Sequence, residues 1–150
     1  MILTNLLLLT AIAMVETGGR DGFTGQAGEV SRWQIAPATW RQHSKNPLTH
    51  APAVAVKVAL RHLAWILENL PEEKRTPEWV AAVWNAGLGR VRRADYRMDW
   101  LPSGVPDYAR RVVTCYSPAP SYEFAGAREA IACQLRARPS RNRPGTEGKP

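Results

Sequence analysis

The first carboxylate of the chain, Glu16, stands at the end of the apolar run LLLLTAIAMV and directly before Thr17-Gly18-Gly19. An acid in the last turn of a helix faces the negative end of the helix dipole. Apolar neighbours add a desolvation cost. Both effects disfavour the charged form and raise the pKa, which suits a general acid working near neutrality. A solvated residue where a helix surfaces would carry the same local pattern, so the pattern alone leaves both readings open. Five glycines follow within residues 17–32, namely Gly18, Gly19, Gly22, Gly25 and Gly28. They either let the chain turn or let backbone approach a ligand closely.

Two further polar residues stand where apolar ones are expected. Gln34 lies between Trp33 and Ile35, and a buried amide must find hydrogen-bond partners. Asn85 lies at the end of an apolar segment just before Gly87, where it is either an ordinary helix end or a site residue. No G-x-S-x-G, H-E-x-x-H or P-loop pattern is present. His43, His50 and His62 have no metal-like spacing, and His62 reads as a packed helix residue. Cys115 and Cys133 fit no zinc pattern; whether they pair is left open. No metal and no cofactor is expected.

The elements that must position these residues are almost all helical. Residues 5–16 form a first helix, stopped by Gly18-Gly19, apolar all round and therefore expected to be central. Residues 17–32 form a glycine-rich loop or a small hairpin. A short helix follows with Pro37 in its first turn, and residues 49–70 give the longest helix. TPEWVAAVWNAGLG starts with Thr76 as N-cap and Pro77 at the first helical position. It ends at Gly87 and Gly89. VPDYARRVVTCYS repeats the proline-first start at Pro106, and a last helix spans residues 122–136.

The chain of 150 residues suits one domain with one core, taken as residues 1–136. Residues 137–150 read as a disordered basic, proline-rich tail. The net charge is +7, but the segment from Arg136 onward holds +4 of it. The folded part is therefore only mildly basic. MILTNLLLLTAIA has a signal-like apolar run and ends in A-I-A, yet no Lys or Arg precedes it. It is read as a helix of the fold and not as a cleavable signal peptide.

Four motifs in order, AMVETGG, RWQIAPATW, VWNAGLGRV and VPDYARRVV, resemble those of lytic transglycosylases and the related goose-type lysozymes. The resemblance covers about residues 10–113. It implies a mainly α, lysozyme-like helical domain with the glycine-rich loop or hairpin beside a substrate cleft. The implied activity is cleavage of the β-1,4 bond between N-acetylmuramic acid and N-acetylglucosamine in peptidoglycan. Glu16 matches the catalytic acid. Thr17, Gln34, Ile35, Trp84, Asn85 and Tyr108 are carried over as substrate-site residues, Tyr108 as the tyrosine that lies near the carboxylate. Trp84 stands where the family usually has Tyr, Thr17 where it has Ser, and Arg32-Trp33 where it has Leu-Met, which alters the cleft wall.

A transglycosylase manages with one carboxylate and leaves a 1,6-anhydro ring on the muramic acid. A hydrolase needs a second carboxylate to hold water, and Asp21 and Glu29 are the nearby candidates. Two other classes remain in view. One is a glycan-binding module without activity, against which the intact Glu16 argues. The other is a basic nucleic-acid binder using GRVRRADYR and the tail. The expectation is a monomer that acts on peptidoglycan strands of the cell wall, reached from the periplasm, from outside or from a phage. No nucleic-acid partner and no stable membrane insertion is expected.

Overall fold

A computed structural model describes residues 2–116. It contains six α-helices: α1 (Ile2–Thr17), α2 (Pro37–His43), α3 (Pro52–Asn69), α4 (Pro77–Ala86), α5 (Leu88–Arg93) and α6 (Gly104–Tyr116). Two 3-10 turns, Glu72–Lys74 and Met98–Trp100, complete the set. The helix expected over residues 122–136 and the tail at 137–150 lie outside the described residues, as does Cys133. Cys115, near the end of α6, is not a free thiol.

Local chemistry sets most boundaries. Pro37, Pro52 and Pro77 each open a helix, where proline's missing N–H would have no partner in any case. The Thr76 hydroxyl caps α4 by accepting from the Trp79 backbone N–H. α6 differs from the expected proline-first start: it begins at Gly104, two residues before Pro106. Pro106 still falls in the first turn, where backbone N–H groups have no helical acceptor. α5 was not anticipated, because Gly87 both ends α4 and opens the next helix at φ +80°.

The expectation of a central first helix needs correction. α1 buries Leu8, Leu9, Ala11, Ile12, Ala13 and Val15, while Leu6 and Leu7 are 41% and 49% exposed. α1 packs against α6 and α3, and its N-terminal turns at Leu6 and Leu7 stay open to solvent. The truly enclosed helix is α4, whose Val80, Ala81, Ala82 and Val83 are all at most 1% exposed. Its small side chains let α6 and α3 approach closely on either side. α6 answers with Val105, Tyr108, Ala109 and Val112, spaced as one helical face. α3 does the same with Ala55, Val58, Ala59, His62, Leu63 and Ile66.

The glycine-rich segment is a loop and not a paired hairpin: a single antiparallel bridge joins Val30 to Ile35. No helix among the described residues is long and apolar enough to cross a membrane.

The unequal faces of α1 give a direct test. Leu9→Ala, at a position 2% exposed, is expected to lose about 2–5 kcal/mol of unfolding free energy. Leu7→Ala should change it by no more than about 0.5 kcal/mol. Urea denaturation of the two variants measures the contrast; equal losses would contradict the packing of α1.

Candidate active site

α1 ends where the glycine loop begins. The Gly18 and Gly19 N–H groups donate to the carbonyls of Met14 and Ala13 at 3.1 and 3.0 Å, with φ of +68° and +76°. This left-handed pair closes the helix end and is open to glycine at little cost. Glu16 therefore sits in the last turn, and α6 packs across it. Tyr108 is 4% exposed, and its hydroxyl donates to Glu16 Oε1 at 2.7 Å.

The carboxyl of Glu16 is pushed up to about 7. Burial is the main cause. The Tyr108 hydrogen bond and the Arg111 charge oppose it, and the negative charge of Glu29 adds to it. Burial and the neighbouring Glu16 also raise the Tyr108 phenol well above its ordinary value. It therefore remains a hydrogen-bond donor throughout the working range of Glu16. Arg111 lies one turn beyond Tyr108, with its guanidinium 5.9 Å from the Tyr108 ring centre and its Nε 3.2 Å from Asp107 Oδ2.

Thr17 and Ile35 are buried at 7% and 2%. The Thr17 hydroxyl donates to the Arg32 carbonyl at 3.1 Å and accepts the Arg20 N–H at 3.1 Å. It ties the end of α1 to both limbs of the loop. The Arg20 Nε–H donates to the Thr17 carbonyl at 3.0 Å, a cation on the negative end of the helix.

Gln34 adopts φ +47°, and its amide donates to the Phe23 and Ser31 carbonyls at 3.1 and 3.0 Å. Its Oε1 and the Glu29 carboxylate converge on Gly25. A Cβ there would overlap Glu29 Oε2 and come within 2.7 Å of Gln34 Oε1. The Ala27 N–H donates to Glu29 Oε2 at 3.0 Å. Gly25 is thus a place where backbone must come close to two polar side chains.

Of the two candidate second carboxylates, Asp21 is committed elsewhere. It pairs bidentately with Arg32, and that guanidinium holds its pKa below the usual value. Glu29 is the one whose charge reaches Glu16.

Trp33 belongs to the core. It is 7% exposed, and its indole N–H donates to the Leu9 carbonyl at 2.9 Å, locking the loop onto α1. Trp84 is half-buried, and its indole N–H reaches the Trp33 carbonyl at 3.2 Å. The indole donor of Trp84 therefore holds the Gln34 loop. Asn85 is exposed beside it at the end of α4. His62 is packed, as expected, between the Trp65 and Trp84 rings and against His43. Burial lowers its pKa to about 4.

Several contributors were invisible to sequence reasoning. Ser31 is fully buried at φ +70°, and its N–H donates to His50 Nδ1 at 3.2 Å. That leaves the His50 Nε2–H to donate to the Thr24 hydroxyl at 3.1 Å. His50 thereby staples both limbs of the loop from outside. Its position 19 residues beyond Ser31 carries no local signal. Gly25 and Arg20 were readable only as loop composition.

Comparison with known families finds one match, the transglycosylase SLT domain, over residues 4–102. No curated protein and no solved structure matches the chain. The chain belongs to the transglycosylase SLT family, whose members are lytic transglycosylases, and its helical domain has the lysozyme-like fold. It is a peptidoglycan-cleaving enzyme of the glycosidase type.

Two outcomes test the site's geometry. The pKa of Glu16 is raised in the folded state from 4.5 to about 7. Its effect on stability is therefore absent below pH 4.5 and becomes a penalty as pH rises toward 7. Glu16→Gln removes the penalty and keeps an acceptor for Tyr108. It should match the wild type in stability near pH 4 and exceed it above pH 7, by at most about 3 kcal/mol. Denaturation across that pH range measures the difference; a constant offset would contradict burial of the carboxyl. Gly25→Ala displaces Glu29 and Gln34 from their positions. It should lower peptidoglycan turnover by at least about tenfold with little change in melting temperature, as read by turbidity and calorimetry.

Proposed function

We propose that Glu16 is the general acid and then the general base of a lytic transglycosylase reaction on the β-1,4 bond between N-acetylmuramic acid and N-acetylglucosamine. The observation that carries this is the carboxyl of Glu16, buried at the end of α1, held by Tyr108 and raised to about 7. At neutral pH such a group is protonated in a large fraction of molecules and still gives up its proton readily. Glu16 protonates the glycosidic oxygen as the bond to the muramic C1 breaks. The substrate's own N-acetyl group helps stabilise the cation. The Glu16 carboxylate then removes the proton from the muramic C6 hydroxyl as O6 bonds to C1. No water is consumed, and the acid is regenerated. Tyr108 orients the carboxyl in both steps, Gln34 and Asn85 line the sugar site, and Trp84 fixes the loop that carries Gln34.

Hydrolysis is the second reading, and one observation favours keeping it. The charge of Glu29 acts on Glu16 from the adjacent loop, which makes Glu29 the candidate for the second carboxylate that a hydrolase needs. The two outcomes differ by one water in the mass of the released muropeptide.

The expected product is therefore the anhydro form. Glu16→Gln should abolish its release, because Gln has no carboxyl proton to donate, while the variant stays folded. The pH dependence follows the same group: turnover should decline as pH rises above about 7, where Glu16 loses its proton. Mass spectrometry of digested sacculi reads the product. Reducing-end muropeptides that disappear in Glu29→Gln would establish the hydrolytic reading instead, and wild-type activity in Glu16→Gln would remove Glu16 from the mechanism.

A further inference from the structure

Arg20 stands one turn past the catalytic helix, and its setting is unlike that of the other loop cation. Arg32 is neutralised by Asp21. Among the described residues, no carboxylate pairs with Arg20. Its Nε–H is fixed to the Thr17 carbonyl at 3.0 Å, and its guanidinium lies 4.6 Å from the centre of the Phe23 ring. The residue is exposed, and Phe23 is 45% exposed, a high value for an aromatic side chain.

A guanidinium placed over an aromatic face and anchored through Nε still has its two terminal amino groups as donors. That is the arrangement that receives a carboxylate. The pair is also tied to the candidate sugar site. The Phe23 carbonyl accepts the Gln34 amide at 3.1 Å, and the Arg20 backbone N–H donates to the Thr17 hydroxyl at 3.1 Å. Arg20 is not among the charges that shift Glu16.

We infer that Arg20 and Phe23 form a subsite for a carboxylate carried on the lactyl arm of the muramic acid residue. This rests on the reading of Glu16 and Gln34 as the catalytic and sugar-binding residues. Two sources share the chemistry. In a strand that keeps its peptide stems, the carboxylates belong to the stem. In a strand stripped by an amidase, the lactyl carboxylate itself is free. The Arg20 contact adds binding to the ground state and the transition state alike, so it governs KM and leaves kcat unchanged.

The test compares wild type, Arg20→Gln and Arg20→Lys on three soluble strands: peptide-bearing, amidase-stripped, and stripped strands whose carboxylates are capped as neutral amides. Arg20→Gln should raise KM by about tenfold on at least one of the first two, with kcat unchanged. It should match wild type on the capped strand. A rise on peptide-bearing strands alone assigns the stem, and a rise on stripped strands alone assigns the lactyl group. A rise on both assigns a subsite that takes either. Arg20→Lys keeps the charge and loses the planar contact, so its KM should fall between the other two. Equal KM for wild type and Arg20→Gln on all strands overturns the subsite. So does an equal rise on the capped strand, which would mark Arg20 as a cap of α1 and nothing more. A wild type that cleaves none of the strands would instead overturn the underlying reading of Glu16.

Discussion

The packing of α6 across the end of α1 is the constraint on which the site depends. It encloses the carboxyl of Glu16 and supplies the Tyr108 hydroxyl 2.7 Å away. Burial raises the carboxyl's pKa, and the Tyr108 hydrogen bond together with the Arg111 charge keeps that rise from running further. Each part needs the other. Without the enclosure, Glu16 would be an ordinary carboxylate, ionised at neutrality. Without the hydroxyl, a buried acid would have an unsatisfied oxygen and no fixed direction for its proton. The cost of holding an acid this way falls on the folded state at neutral pH, a familiar exchange of stability for function.

Around this pair, the loop of residues 18–35 is held by a small number of long-range contacts. Trp33 fastens it to α1 through the Leu9 carbonyl, and Trp84 fastens it to α4 through the Trp33 carbonyl. Thr17 joins its two limbs at the root, and His50 joins them farther out. The Arg32–Asp21 pair is half-exposed and contributes little to stability by itself. Its larger effect is to occupy Asp21, which leaves Glu29 as the loop carboxylate electrostatically coupled to Glu16 and Arg20 as a loop cation with no carboxylate partner among the described residues.

Much of this was legible in the sequence, and the division has physical causes. Glu16 was readable because helix dipole and apolar neighbours act within one turn. Thr76, Pro77 and Gly87 were readable because capping is local chemistry. The orientation of α1 was not, because Leu6 and Leu7 are as apolar as Leu8 and Leu9, and only the position of α6 decides which pair is covered. Trp33 reads as a core-type neighbour of Gln34, but nothing local shows that its indole is bonded to a carbonyl 24 residues back. His50 and Ser31 meet only through the tertiary fold. The double role of Gly87, ending one helix and opening another, hides α5 behind what reads as a stop. Gly25 was one glycine of five until the side chains of Glu29 and Gln34 were seen to fill the space in front of it.

The general-acid role stands most directly on the proton of Glu16. Selective carbon labelling of the glutamate side chains, followed by an NMR titration of the free enzyme, reads its carboxyl resonance against pH. A midpoint near 7 is expected for the wild type, moving upward in Tyr108→Phe as the stabilising hydrogen bond is lost. A midpoint near 4.5, the ordinary value for a glutamate, would contradict the burial of the carboxyl and with it the general-acid role assigned to Glu16.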